Sequence, residues 1–269
     1  MSSLIAWVAV DSRGPSSFYL ASDSRICWTT SSVRWDAGRK LFASTRHPDV
    51  FGYCGDVLFP SLVLGQAVDL ADHGVLFSPG DSASRKHEKL SLIVQQSFAS
   101  YPSSQQRPFT IIHVTREHSE MASVFYLFRL DWLANDQWTS QTFNLPTQSG
   151  LVLSAGSGAG SVRAHYKKWQ GSESARTSRS VFNAFCDSLR SADDPCSGGA
   201  PQLAGIYRTG PAESFGVVYD DRRSLLGAPV EGNLSLAVVE WRNNLFERCD
   251  GKTMARLEGA QPHGRPHRL

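Results

Sequence analysis

Ser2 is the residue whose type and position offer the most chemistry in this sequence. A serine hydroxyl is a weak nucleophile unless a base lies beside it, and a free α-amine, with a pKa of about 7.7 to 8.0, can be that base. Only the first residue of a mature chain carries both groups. Because Met1 precedes a small residue, we expect Met1 to be removed, and Ser2 would then be an N-terminal nucleophile.

Six other positions could take part in the same chemistry, because each places a polar side chain or a glycine where a predicted strand or helix begins or ends. They are Asp23, Lys40, Gly52, Ser157, Asp194 and Ser197. Taken singly, each has an ordinary explanation, since aspartate and lysine form surface ion pairs and serine–glycine segments form turns. Taken together with Ser2, they favour a catalytic interpretation.

The first 25 residues predict a β-hairpin. An apolar run from Leu4 to Val10 has the length of a strand, Gly14-Pro15 marks a turn, and a second apolar run begins at Phe18. Such a hairpin would return Asp23 to the N-terminus. We therefore expect Ser2 and Asp23 to lie close together.

The rest of the chain alternates between helix pairs and groups of strands. Helical spacing predicts a first helix with Leu58, Leu62, Ala67, Val68 and Ala71 on one face, and a second helix around residues 90–98. Strands are predicted at 109–114, 123–130 and 138–143, helices at 160–169 and 176–192, and further strands at 202–208, 215–220 and 234–241. This order predicts an α+β fold, specifically a four-layer αββα sandwich in which two antiparallel sheets pack face to face between helices.

The chain resembles the proteasome superfamily of N-terminal nucleophile hydrolases, specifically the catalytic β-type subunits and the simpler bacterial HslV-type peptidase. That family has a nucleophile before two hydrophobic strands, Ala-x-Asp-x-Arg, a lysine before a strand, Gly-x-x-x-Asp at the first helix, a glycine–serine turn and Asp-x-x-Ser-Gly-Gly. The matching segments, in the same order, are Ser2, Ala21–Arg25, Lys40, Gly52–Asp56, Ser154–Gly158 and Asp194–Gly199. The resemblance covers residues 2–241.

The resemblance implies an enzyme that hydrolyses peptide or amide bonds. Ser2 would attack the carbonyl, Lys40 paired with Asp23 would favour the alkoxide, and the N–H of Gly52 would stabilise the oxyanion. The supporting residues would be Ser157, Asp194 and Ser197.

Two features depart from the family pattern. Serine replaces the usual threonine, whose methyl group helps to fix the hydroxyl. Arg39 stands beside Lys40, so the sequence leaves open which cation faces the site. We favour Lys40, because its ammonium is compact and it directly precedes the apolar run.

The resemblance also implies assembly into a homo-oligomeric ring that encloses its active sites. The substrate would be a peptide or an unfolded protein, and an unfoldase ATPase would be a partner. Two alternatives stay open. One is a catalytically silent structural or scaffold subunit, as would follow if Met1 stays attached or Lys40 points away; the other is a small-molecule amidohydrolase with the same fold.

Composition narrows the remaining classes. A net charge of +2 over 269 residues gives no reason to expect nucleic acid as a partner. Five cysteines without a Cys-x-x-Cys pair favour free thiols, and no motif suggests a metal or a cofactor. Without a long apolar segment or signal peptide, we expect a cytoplasmic protein that does not contact membranes.

We expect one domain over residues 1–241. Residues 242–269 are rich in basic side chains and poor in apolar ones, so we expect a C-terminal extension that is partly disordered.

Overall fold

The computed structural model describes residues 2–28, 33–133, 137–232 and 236–260. Within these ranges the chain forms four α-helices and sixteen β-strands. The helices are α1 (Leu58–Asp72), α2 (Ala83–Ala99), α3 (Ala159–Gln170) and α4 (Ser178–Ser191). The strands are β1 (Leu4–Asp11), β2 (Gly14–Ser22), β3 (Ile26–Cys27), β4 (Arg34–Trp35), β5 (Leu41–Ala43), β6 (Asp49–Gly55), β7 (Phe109–Glu117), β8 (Val124–Leu133), β9 (Gln137–Thr142), β10 (Gly150–Ala155), β11 (Gln202–Tyr207), β12 (Glu213–Tyr219), β13 (Arg222–Leu225), β14 (Ala228–Pro229), β15 (Trp241–Asn243) and β16 (Arg248–Cys249).

The larger sheet has the order β10-β1-β2-β11-β12-β13-β14, with β15 and β16 attached beside β12. Its pairs are antiparallel except for β12 with β15. The predicted hairpin is confirmed as β1 and β2, and it lies inside this sheet. Because Leu4 pairs with both Ser22 and Ala155, the start of β1 and the ends of β2 and β10 meet at one edge.

The smaller sheet has the order β5-β6-β7-β8-β9 and is antiparallel throughout. Lys40 immediately precedes β5. The predicted α+β class, with antiparallel sheets and four helices among the described residues, agrees with this architecture.

Strand β1 shows how the sheets divide the apolar side chains. Leu4, Ala6 and Val8 belong to a core cluster that also contains Leu41 of β5 and Ile112 of β7, so this cluster lies between the two sheets. The intervening Ile5 and Trp7 face the opposite way, as the two-residue period of a strand requires. They pack with residues of α4 in a separate cluster.

Helices α1 and α2 cover the other face of the smaller sheet. Phe59 and Leu64 of α1 and Val94 of α2 share a third cluster with Phe51 and Ile111 of that sheet. Two helices begin with side-chain caps, because Ser82 Oγ accepts from the Arg85 N–H at 3.2 Å and Thr177 Oγ1 accepts from the Ser180 N–H at 3.2 Å.

The buried face of α1 differs in part from the predicted one. Ala67, Val68 and Ala71 are buried as predicted, but Leu58 and Leu62 are 55% and 58% exposed. Phe59 and Val63 are buried in their place. The sequence gives apolar residues on both sides of this helix at its start, and spacing alone selected the wrong side.

The C-terminal part continues past the predicted domain boundary. The strand predicted at 234–241 is wrong where the structure describes it, because residues Leu236–Val238 form a 3-10 helix and β15 begins at Trp241. Phe246, in the predicted extension, packs against Trp7 and Phe182. Residues 242–260 therefore contribute to the fold, whereas residues 261–269 lie outside the described ranges.

Candidate functional site

The edge where β1, β2 and β10 meet holds a buried serine–lysine–aspartate group. Lys40 Nζ donates to Ser2 Oγ at 2.8 Å and to Asp23 Oδ1 at 2.8 Å. It also donates to the carbonyl oxygen of Arg25 at 2.6 Å. The side chains of Lys40 and Asp23 are both 0% exposed. A hydroxyl at this distance from a buried ammonium lies where positive charge favours its alkoxide form.

Backbone groups fix the Asp23 carboxylate. Its Oδ1 accepts from the N–H of Ser3 at 3.0 Å, and its Oδ2 accepts from the N–H groups of Arg25 and Gly198 at 3.1 Å each. Complete burial raises the pKa of the Asp23 carboxyl, while the Lys40 ammonium and the N–H groups of Ser3 and Gly198 oppose the rise. Each oxygen of the carboxylate thus accepts a backbone hydrogen bond, and Lys40 is its counter-ion.

A second group holds the backbone at Ser2. The backbone nitrogen of Ser2 donates to Ser157 Oγ at 3.0 Å, and Ser157 Oγ donates to Asp194 Oδ2 at 2.6 Å. Ser197 Oγ donates to the same carboxylate oxygen at 2.7 Å. Partial burial would raise the pKa of Asp194, but the hydrogen bonds from Ser157 and Ser197 hold that pKa below its usual value. Asp194 is therefore an ionised acceptor that orients Ser157 towards Ser2.

The turn after β10 is glycine-rich because it passes very close to the backbone of Ser2. Gly156 has a φ of +88°, and a Cβ there would lie 2.1 Å from the carbonyl oxygen of Ser2. At Gly158 a Cβ would lie 2.0 Å from Ser3 Oγ, and the Gly158 N–H donates to the Ser2 carbonyl at 3.2 Å. The glycines are there because the chain passes against the backbone of residues 2 and 3.

Gly52 is the predicted site residue that the structure does not bring into this group. It lies inside β6, opposite Leu41 on one side and Ile112 on the other. Successive residues of an antiparallel strand direct their N–H groups to opposite neighbours. The next residue, Tyr53, donates to the carbonyl of Lys40 on the β5 side, so the N–H of Gly52 is directed towards β7.

The cation left open by the sequence is resolved as Lys40. Arg39 is exposed, with its Nε donating to the Leu41 carbonyl at 3.0 Å and its guanidinium 4.4 Å from the Phe42 ring centre. Neighbouring residues in an extended segment point to opposite sides. Since Lys40 points inwards, Arg39 points out.

Several supporting residues were missed by sequence reasoning. Gln202 Oε1 accepts from the N–H of Lys40 at 2.9 Å, and its Nε2 donates to the carbonyls of Asp23 and Gly38 at 3.0 and 2.8 Å. Ser3 pairs its hydroxyl with Ser197 Oγ at 2.8 Å. The available signal for Gln202 was a polar residue that opens an apolar strand.

Comparison of the sequence with models of known protein families and with curated proteins finds no match. The site geometry is therefore the basis for assigning function. Across the described parts of the chain, no group of three or more His, Cys, Asp or Glu side chains is placed to hold a metal ion. In those same ranges, no helix has both the length and the apolarity to cross a bilayer.

Proposed function

We propose that this protein is an N-terminal serine nucleophile hydrolase that cleaves peptide or amide bonds. The observation that carries the proposal is the contact of Lys40 Nζ with both Ser2 Oγ and Asp23 Oδ1, at 2.8 Å each, in a fully buried ion pair at the start of the chain. Removal of Met1 would convert the Ser2 nitrogen into an α-amine next to that hydroxyl.

Each residue then has a role in acyl transfer. Ser2 Oγ forms a bond to the substrate carbonyl carbon while the α-amine takes the hydroxyl proton, directly or through a water. Lys40 stabilises the negative charge that develops on Oγ. The carbon–nitrogen bond of the substrate breaks, the leaving amine receives the proton, and water hydrolyses the resulting ester. Ser157 holds the amine, with Asp194 and Ser197 behind it.

We propose that the end of β6 at Gly55, rather than Gly52, lies next to the position of the oxyanion. Along β6 the N–H groups of Tyr53 and Gly55 are directed to the same side, and Tyr53 donates to the Lys40 carbonyl there. The Cβ of Cys54 lies 3.4 Å from the Cβ position of Gly156, which itself contacts the Ser2 carbonyl. The end of β6 is thus adjacent to Ser2.

We also propose a finer description of the fold. Core clusters lie between the two sheets, between the smaller sheet and α1 with α2, and between the larger sheet and α3 with α4. This arrangement supports the four-layer αββα sandwich of the N-terminal nucleophile hydrolases. By the same resemblance we propose a homo-oligomeric ring, whose size sedimentation velocity would measure.

The decisive experiment is the intact mass of the purified protein before and after incubation with a peptide epoxyketone, a reagent that needs a terminal hydroxyl and its α-amine. We expect a mass without Met1 and a single adduct, which Ser2→Ala abolishes and which the distant control Ser100→Ala retains. A retained Met1, or an adduct that survives Ser2→Ala, would contradict the proposal. Retention of Met1 would favour a silent structural subunit.

Turnover of a small amide without turnover of peptides would instead place the substrate in the small-molecule class. In that case the adduct at Ser2 would remain and only the substrate assignment would change. Parallel assays on a fluorogenic peptide and on a simple aryl amide make this distinction.

A further inference from the structure

A cavity lies directly behind the candidate site. It has a volume of about 660 Å³ and lies between the loop after β2, the turn at Gly198-Gly199 and the β12–β13 hairpin. This volume falls within the range of about 300 to 1,000 Å³ that is usual for small-molecule sites. Its charged lining residues are Arg25, Arg190, Arg222, Arg223, Asp36 and Asp220.

The charge of this arginine pocket is positive. Arg25 and Asp36 are paired through two contacts of 2.8 Å, and Arg190 and Asp220 through contacts of 3.1 and 2.9 Å. Arg222 and Arg223 are not in an ion pair with any residue that the structure describes.

Arg222 and Arg223 are neighbours in β13, so their side chains leave opposite faces of the strand. Arg222 shares the face of its pairing partner Tyr219, which also lines the cavity, and its guanidinium is the one on that face without an ionic partner among the described residues. Arg223 donates to a neutral acceptor, the carbonyl of Gly251, at 3.0 Å, and Arg222 is exposed. The nearby acid Asp221 is exposed and does not line the cavity. A guanidinium presents a planar fork of donors that matches the oxygens of a phosphate or carboxylate.

The rest of the lining is partly apolar. The Arg190 guanidinium lies 4.6 Å from the centre of the Tyr219 ring, and Leu189, Ala200 and Pro229 complete the wall. An occupant with a charged end and a small apolar body would therefore satisfy both parts of the lining.

The wall nearest the candidate site consists of the residues that hold Asp23 and Lys40. The N–H groups of Arg25 and Gly198 both donate to Asp23 Oδ2, and the Arg25 carbonyl accepts from Lys40 Nζ. The Arg25 guanidinium also packs on Gly198, where a Cβ would lie 2.4 Å from Cζ. A ligand that restricts the motion of Arg25 and Gly198 would therefore affect the hydrogen bonds that hold the buried ion pair of Asp23 and Lys40.

We propose that the arginine pocket binds a small anionic molecule that carries a phosphate or carboxylate group, and that its occupation tightens the Arg25 and Gly198 contacts to Asp23. Binding itself does not depend on the proposed hydrolase function, because Ser2 does not line the cavity.

Isothermal titration calorimetry with inorganic phosphate and with acetate, at constant ionic strength maintained with chloride, tests the binding. We expect saturable binding of at least one anion by the wild-type protein. The double variant Arg222→Gln/Arg223→Gln should weaken it by at least about tenfold, which corresponds to about 1.4 kcal/mol. Glutamine keeps a neutral donor for the Gly251 carbonyl, so the fold should persist. The control Arg85→Gln removes an exposed arginine on α2 and should bind as the wild type does.

Absence of saturable binding by either anion, or equal binding by the double variant, would overturn the proposal. The anion that binds more tightly identifies the charged group of the ligand. Hydrogen exchange gives a readout that is independent of activity. The bound anion should slow the exchange of the Arg25 and Gly198 amides in the wild type but not in the double variant, and unchanged exchange with intact binding would overturn the link to Asp23.

Discussion

Lys40 and Asp23 form a completely buried ion pair, and the stability of the fold depends on both members being present. Lys40→Met would leave the Asp23 carboxylate buried without its counter-ion. We expect the free energy of unfolding to fall by about 3–5 kcal/mol. Urea unfolding at neutral pH measures this loss, with Arg39→Met as the neighbouring control, which should lose about 1 kcal/mol or less.

The double variant Asp23→Asn/Lys40→Met checks the physical reason. Without the carboxylate no buried charge is left unpaired, so the double variant should be more stable than Lys40→Met alone. Equal or lower stability of the double variant would show that the unpaired charge does not dominate the loss, and that the backbone donors, one of which would face the amide nitrogen introduced at position 23, or packing cause it.

The ionisation of Asp194 should make the stability of the fold depend on pH in a definite direction. Its pKa in the folded protein is lowered, because the hydroxyls of Ser157 and Ser197 outweigh its partial burial. A lowered pKa means that the ionised form stabilises the fold above the unfolded pKa of about 3.9, and that this contribution is lost as the pH falls through the folded value. The stability difference between the wild type and Asp194→Asn should therefore shrink on acidification.

Urea midpoints of the two proteins at about pH 6, 4.5 and 3 measure that trend. Ser157→Ala/Ser197→Ala removes the two hydroxyl donors and should show the same loss of pH dependence as Asp194→Asn. A difference from wild type that stays constant over this range would contradict the assignment of Asp194 as an ionised acceptor.

Among the elements, α1 offers a matched pair of leucines. Leu64 is 0% exposed in the cluster under α1 and α2, whereas Leu62 is 58% exposed. Leu64→Ala should lower the free energy of unfolding by about 2–5 kcal/mol, because it leaves a cavity. Leu62→Ala should change it by about 0.5 kcal/mol or less. Denaturant unfolding of the two variants tests the observed face of α1, and the reverse order would favour the face predicted from the sequence.

The segment after β15 should matter equally for stability. Phe246 packs edge-on against Trp7 and Tyr19, with ring centres 5.9 and 5.4 Å apart. Phe246→Ala should cost about 3 kcal/mol. Val238→Ala, at a side chain that is 83% exposed, should be nearly neutral. Thermal melts of the two variants compare their stabilities and show whether the packing of Phe246 stabilises the fold.

Local patterns predicted most elements because the features that define them lie within a few residues. A continuous apolar run predicted β1, and the spacing of Leu90, Val94 and Phe98 predicted α2, where all three are buried. The docking of Phe246 depends on Trp7, about 240 positions away, and no local pattern contains that contact.

The candidate site was predictable to the extent that its residues sit in short motifs. Asp23, Lys40, Ser157, Asp194 and Ser197 all lie in the group around Ser2. Gln202 was missed because its backbone partners, among them Lys40, Asp23 and Gly38, come from distant segments. Motif spacing predicted Gly52 as the oxyanion donor. The direction of its N–H depends on strand register, which the sequence does not show.

In the whole molecule, Ser2 and β1 are enclosed. Ser2 is 1% exposed and β1 has a partner on each side. If the proposed function holds, a tag left in front of Ser2 should abolish epoxyketone labelling without unfolding the protein, because no free α-amine remains. A C-terminal tag should leave labelling intact. Circular dichroism and intact mass measure both effects, and labelling of the N-terminally tagged protein would contradict the mechanism.

The distance along the chain between the parts of the site also sets an order of events during synthesis. Ser2 leaves the ribosome before Asp194 and Ser197, which are nearly two hundred residues later. At a translation rate of about 5–20 residues per second, roughly 10 to 40 s pass between these events. For most of that interval β1 lacks its partner β10, and throughout it β2 lacks its partner β11. We therefore expect the N-terminus to be accessible to the peptidase that would remove Met1. If the proposed function holds, we expect this removal to take place on the nascent chain, before folding encloses Ser2.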